Sequence, residues 1–152
     1  MFISRNTSRY AAPLAGILFA LLPAPEARAT SASALSTAIE AATALEVMYG
    51  LTVTRDSVAG GLLRPGQREL RSVFLVRGVT YVIVAGGCTD AHDVDMALFD
   101  AAGTLIIADP SEEPYAVGAI TAPYTGEYIF LVSMAKSTPN GAHWVVVMGN
   151  DA

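Results

Sequence analysis

The chain has 152 residues, 53% of them hydrophobic and 15% charged, with a formal net charge of −5. An acidic balance of this kind repels nucleic acid and anionic headgroups, so neither is expected as a partner. The length suits one domain with one core, and a single cysteine excludes an internal disulfide.

The first 29 residues read as a leader. Arg5 and Arg9 give a positive start, "APLAGILFALL" is an apolar run ending at Leu22, and small residues stand at Ala27 and Ala29. Those are the positions a signal peptidase reads, so cleavage is expected after Ala29. The apolar run is well short of the ~20 residues that span a bilayer, and no later segment resembles a span. The expectation is an exported chain, periplasmic or extracellular, with no transmembrane segment once the leader is removed. Removal of residues 1–29 takes away Arg5, Arg9, Arg28 and Glu26, leaving six basic and thirteen acidic residues and a net charge of −7.

Residues 30–50 form an N-terminal helical segment. Between Ser33 and Tyr49 the apolar residues Leu35, Ala38, Ile39, Ala42, Leu45, Met48 and Tyr49 recur every three or four positions, with Ser36, Glu40 and Glu46 off the stripe. Gly50 suits the left-handed position that closes a helix.

Residues 51–152 read as short strands separated by turn residues. In chain order they are Leu51 to Arg55, Glu69 to Val76, Thr80 to Ala85, Val94 to Asp100, Thr104 to Asp109, Tyr115 to Thr121, Glu127 to Ser133 and His143 to Gly149. "RPGQ", Arg77–Gly78, "AAG", "PSEEP" and "TPNG" punctuate them. Seven or eight such strands, with no helix long enough to cross over, predict an all-β antiparallel sandwich with one helix. "YIFLV" and "WVVVM" are apolar on both faces, which predicts central strands covered on each side. The helix is the expected cover for one outer face, or else it occupies a partner's groove.

The stretch Cys88 to Asp100, "CTDAHDVDMALFD", concentrates reactive residue types. No Lys or Arg lies between Arg77 and Lys136, while that interval holds eight acids. Their mutual repulsion would be relieved by a divalent cation, and calcium takes six to eight oxygens from carboxylates and carbonyls. Asp90, Asp93, Asp95 and Asp109 are the candidate calcium ligands. The competing account is that Asp populates turns by bonding its own backbone, which leaves Asp95 as the anomaly because it sits inside a strand.

Catalytic arrangements are poorly served. The chain lacks a Gly-x-Ser-x-Gly elbow, a phosphate loop and a dinucleotide fingerprint. Glu112 and Glu113 are adjacent, so in extended chain they point to opposite sides. A thiol hydrolase assembled from Cys88 with His92 or His143 is the remaining enzymatic alternative. A buried, unreactive Cys88 is the plainer expectation, with a link to another molecule or a ligand role as alternatives. Tyr115 and Tyr124, in turn regions, are the candidate ligand-binding aromatics, whereas Tyr128 and Trp144 belong to apolar strands and are expected in the core.

The segments "LLRPGQ", "RGVTYVIVAG", "DVDMALFDAAGTLIIAD" and "APYTGEYIFLVS", in that order, resemble the elements of bacterial pre-peptidase C-terminal domains. The resemblance runs over roughly Gly61 to Gly149. A similar pattern occurs in uncharacterised exported bacterial proteins that carry the sandwich behind an N-terminal helix and often read Cys-x-x-x-Cys before the Asp-x-Asp strand. Here Cys88 matches the first cysteine and His92 stands in place of the second. The resemblance implies a jelly-roll-like, non-catalytic module that accompanies secreted enzymes, in some relatives binding calcium or extracellular polymer. The functional expectation is therefore a non-catalytic binding or structural module whose partner is an extracellular or envelope protein or a polysaccharide. A calcium-stabilised binding domain is the second reading and the thiol hydrolase the third.

Overall fold

The computed structural model describes residues 30–50, 52–53 and 59–151; the expected leader and its cleavage after Ala29 lie outside these residues. Runs of β-branched and aromatic residues between turns give nine strands among the described residues, and one helix precedes them. The helix α1 spans Ser31–Tyr49, followed by β1 (Thr52–Val53), β2 (Ala59–Leu63), β3 (Arg68–Leu75), β4 (Thr80–Gly87) and β5 (Ala91–Asp100). Then come β6 (Leu105–Asp109), β7 (Tyr115–Thr121), β8 (Gly126–Ser137) and β9 (Ala142–Asn150). They form two antiparallel sheets. One runs β1/β2-β9-β4-β7, with β1 and β2 sharing the outer edge of β9; the other runs β3-β8-β5-β6.

The sandwich and single helix agree with the sequence. Element ends differ where apolar content was a poor guide. "AGGLL", with two glycines and no alternation, is nonetheless β2, because the free edge of β9 takes up its backbone between Ala142 and Val146. The helix starts two residues earlier than its apolar pattern, because Thr30 caps it: Ser33 N–H donates to Thr30 Oγ1 (3.2 Å) and Thr30 N–H to Ser33 Oγ (3.1 Å).

Between the sheets lie Trp144, Tyr128, Leu75, Met96, Leu98, Val94 and Val132, all fully buried. Each such side chain contributes about 1.5–3 kcal/mol through removal from water. Period-two alternation sends Val82, Val84 and Gly86 of β4, with Val145 and Val147 of β9, to the opposite surface of the larger sheet, beneath α1.

The helix meets that surface through Ala34, Ala38 and Ala42, with Leu35 and Ala41 partly buried beside them, whereas Ile39 is 48% exposed. The predicted stripe contained Ala38 and Ala42, but also Ile39, which the structure leaves half exposed. What selects the face is closeness of approach. A Cβ on Gly86 would stand 2.5 Å from the Ala38 nitrogen and 2.8 Å from the Ala34 oxygen, so the helix backbone rests directly on a bare strand position. Gly50 (φ 66°) follows the helix in the left-handed conformation expected of it.

The expectation that β8 is covered on both sides holds on one side only. β8 is central, between β3 and β5, and its inward Tyr128, Phe130, Val132 and Met134 are buried. Its outward Ile129 and Leu131 remain partly exposed, and no described element lies over them.

The apposition at Gly86 yields a test. Gly86→Ala inserts a methyl group against helix backbone and is expected to cost about 2–3 kcal/mol, read as a fall in melting temperature of roughly 10 °C. Gly126→Ala, whose Cβ would meet only the Tyr124 ring at 3.5 Å, is expected to stay within about 0.5 kcal/mol of the parent. Equal effects from the two would mean that the helix does not hold this position.

Candidate functional site: the open face of the smaller sheet

The outward residues of β3, β8, β5 and β6 fall into rows across the sheet. Register places Leu70 beside Leu131, Leu131 beside Ala97, and Ala97 beside Ala108. The next row is Ser72, Ile129, Phe99 and Leu105. Leu70, Phe74 and Leu105 are 61%, 62% and 55% exposed. A contiguous apolar surface with aromatic members, left open to water, marks a contact surface far more often than scattered single residues do.

The rim of this face carries the charge. In the row beyond Leu70, Arg68 pairs with Ser133 and Ser133 with Asp95. At the opposite end Glu127 stands beside Phe74. Burial, and then the charges of Asp93 and Asp109, push the Asp95 carboxyl above the ordinary carboxylate range.

Of the four proposed calcium ligands, Asp93 and Asp109 each lie close enough to Asp95 for their charges to act on it. Asp93 is buried at a register shift in β5, with Lys136 Nζ 3.5 Å from its Oδ2. Lys136 also holds Glu112 at 2.7 Å. The basic partner that seemed lacking from this stretch is thus supplied from β8. Asp109 is occupied too: its Oδ1 accepts from Ser111 N–H (3.0 Å) and its Oδ2 from Val117 N–H (2.7 Å), which ties β6 of one sheet to the edge strand β7 of the other. Asp90 contributes its backbone oxygen to Thr138 N–H. Among the described residues no group of three or more His, Cys, Asp or Glu side chains is arranged to hold a metal ion. Lys136 and the backbone amides of Ser111 and Val117 are thus the partners that Asp93 and Asp109 have within the chain.

Cys88 is 2% exposed, and its Sγ accepts from the backbone N–H of His143 at 3.3 Å. The plain expectation of a buried thiol stands, and the hydrolase alternative lacks an accessible nucleophile. His92 is exposed on β5.

Both candidate tyrosines are exposed, but they do not form one site. Tyr115 begins β7 and lines a groove of 350 Å³ against α1, with Thr37, Glu40, Ala41, Ala44 and Val117. Tyr124 lies beyond the other end of β7 and stacks on Tyr128, with ring centroids 4.7 Å apart. Tyr128 hydroxyl donates to Tyr124 carbonyl oxygen at 3.0 Å, so Tyr124 serves as a lid on the core. Tyr128 and Trp144 are fully buried, as expected of them.

No family model and no curated protein matches the chain. Among solved structures, it is similar to PliG of Aeromonas hydrophila, a periplasmic lysozyme inhibitor of g-type lysozyme. The identity is 16%, the match covers 66% of this chain and 88% of that one, and the TM-score is 0.46. No helix among the described residues is long and apolar enough to cross a membrane.

The residues that the sequence reading missed are Arg68, Leu70, Phe74 and Leu105. None of them stood out, because nothing in one strand says which of its two faces is left uncovered.

Asp95 and Asp109 give opposite predictions. The raised Asp95 pKa means that its ionised form is disfavoured in the fold, so stability is lost as pH rises through its folded value. In the separate chain, at low protein concentration, Asp95→Asn is therefore expected to stabilise the fold at pH 7 by a few tenths of a kcal/mol, an advantage that fades near about pH 3. For Asp109, burial raises the pKa but hydrogen bonds from Val117 and Ser111 outweigh it and lower the value. Its contribution is present above the unfolded value and lost as pH falls, so Asp109→Ala is expected to cost about 1–2 kcal/mol at pH 7 and less in acid. Thermal melts across pH that show the two variants shifting in the same direction would contradict this assignment.

Proposed function

We propose that the chain is a non-catalytic, exported module that binds a protein partner through the open face of its smaller sheet. The observation that carries this reading is the row structure of that face, with Leu70, Phe74 and Leu105 exposed around Ile129, Leu131 and Phe99. Leaving this much apolar surface in water has a free-energy cost that a partner would remove. The leader-like first 29 residues and the resemblance to pre-peptidase C-terminal domains support the same assignment, since those domains accompany other secreted proteins.

A photo-crosslinking residue tests the reading. Placed at Phe74 in the expressing cell, it is expected to trap a protein adduct; placed at the exposed Thr43 of α1, on the other layer, it is expected to trap none. Loss of the Phe74 adduct on Leu70→Glu, with an unchanged melting temperature, would localise the contact to the face. Irradiation at Phe74 that yields only monomer would sink the reading.

The groove beside Tyr115 supports a second reading, a saccharide stacked on the ring with Glu40 and Thr37 as hydrogen-bonding groups. Tyr115→Ala is expected to abolish the perturbation of tyrosine fluorescence caused by envelope oligosaccharides. Absence of any perturbation in the parent protein would eliminate this reading.

A further inference from the structure

We propose that the protein partner on this face is a second copy of the same chain, the two faces packing about a twofold axis that runs along β8. This rests on the reading of the face as a protein-binding surface. The choice of occupant comes from how the face complements itself.

β3 and β5 flank β8 on either side. A twofold axis along β8, lying in the plane of contact, exchanges those flanks, so that β3 of each copy lies over β5 of the other. Rows are preserved by that operation. The outward residues of β3 are Arg68, Leu70, Ser72 and Phe74; those of β5 in the same rows are Asp95, Ala97 and Phe99, with the turn residue Ala101 beyond. Row by row, a cation meets an anion, a large side chain meets a small one, a small one meets a large one, and a large one meets a small one. Leu131 and Ile129 lie on the axis and meet their own images; Glu127 does so too at the exposed end of β8, where solvent screens the like charges. A two-sheet stack of this sort is the ordinary aligned packing of sandwich sheets.

The other twofold that sets the faces together runs across the strands and reverses the rows. It would place Arg68 against Phe74 of the other copy and leave Asp95 without a cation. That alternative also sets large against small, Leu70 against Ser72 and Ala97 against Phe99, so it is the Arg68–Asp95 charge pairing that selects the axis along β8.

Arg68 and Asp95 are separated within one chain by the whole width of β8, two strand spacings or ~9.5 Å. Among the described residues neither takes part in an ion pair. The dimer places each against an opposite charge at the rim of an apolar contact, twice by symmetry. This also accounts for an aspartate in mid-strand, where that residue type is disfavoured. A four-stranded face is at the small end of interface sizes, so association in the micromolar range is expected.

Sedimentation equilibrium of the purified protein between 1 and 200 µM tests the inference. A monomer–dimer equilibrium is expected for the parent. Arg68→Asp is expected to weaken it by about tenfold or more, and Arg68→Asp combined with Asp95→Arg to restore it to within about threefold. Leu131→Cys, on the axis, is expected to yield a disulfide-linked dimer in air, whereas the parent, with Cys88 buried, does not. Each variant is checked by its melting curve, so that a misfolded chain is not scored as a monomer. A parent that stays monomeric at 200 µM overturns the self-association. So does a dimer indifferent to Arg68→Asp, or a charge exchange that fails to restore it. Should Phe74 still crosslink to a different protein, the binding reading survives and only the second copy is rejected; should it crosslink to nothing, both fall.

Discussion

The larger sheet depends on a contact without side chains on one side: the backbone of α1 resting on Gly86. Because no Cβ intervenes, the helix comes close enough for Ala34, Ala38 and Ala42 to bury completely on a surface of valines. Bulkier residues on that helical face would hold it away and open voids that the flat, β-branched surface beneath could not fill. β4 and β9 are then dry on both sides, in the helix interface and in the sandwich core, which is why their sequences are almost uninterrupted runs of apolar residues.

A single helix covers a single sheet, and the asymmetry has consequences for the rest of the molecule. The helix closes the larger sheet over β4 and β9, so what remains for contact with other molecules is the exterior of β3, β8, β5 and β6, together with the groove beside Tyr115 at the β7 edge. The charged residues are arranged around this constraint. Lys136 draws Asp93 and Glu112 together at one end, Asp109 fastens the two sheets along the β6–β7 side, and Asp95 and Arg68 are left at the rim of the open face. Acidic residues that look like one cluster in the sequence therefore do three separate jobs in the fold.

Strand placement was legible because alternation and turn residues are local properties, and Tyr115 to Thr121 was read to the residue. What a strand lies against is not local. "YIFLV" and "WVVVM" look alike as sequences, yet β9 has a helix above it and β8 has none, a difference set by where α1 docks. β2 was illegible for a related reason: "AGGLL" has no intrinsic strand character and is held by the edge of β9. In the candidate site, Asp95 stood out because its residue type conflicts with its position, and Cys88 was correctly placed in the core. The partners that Asp93 and Asp109 have within the chain, Lys136 and the Val117 amide, were not legible, because they come from elements 43 and 8 residues away, distances that no motif spans. Arg68 and Leu70 gave no warning, since an exposed arginine or leucine is unremarkable until its neighbours across the sheet are known.

The burial of Cys88 also bears on the chemistry of its thiol, which in the exported module proposed above would meet an oxidising medium. Its sulfur sits where β9 begins, joined to the His143 amide, and reagents in the surrounding medium reach it only when that end of the larger sheet separates. Where closing is fast, the thiol is consumed at the reagent's own rate scaled by the population of the opened state, so the ratio of the two rates reports the free energy of that local excursion. A chain with one cysteine carries its own internal reporter of how often its core is breached, and each breach that is not closed in time leaves a covalent record.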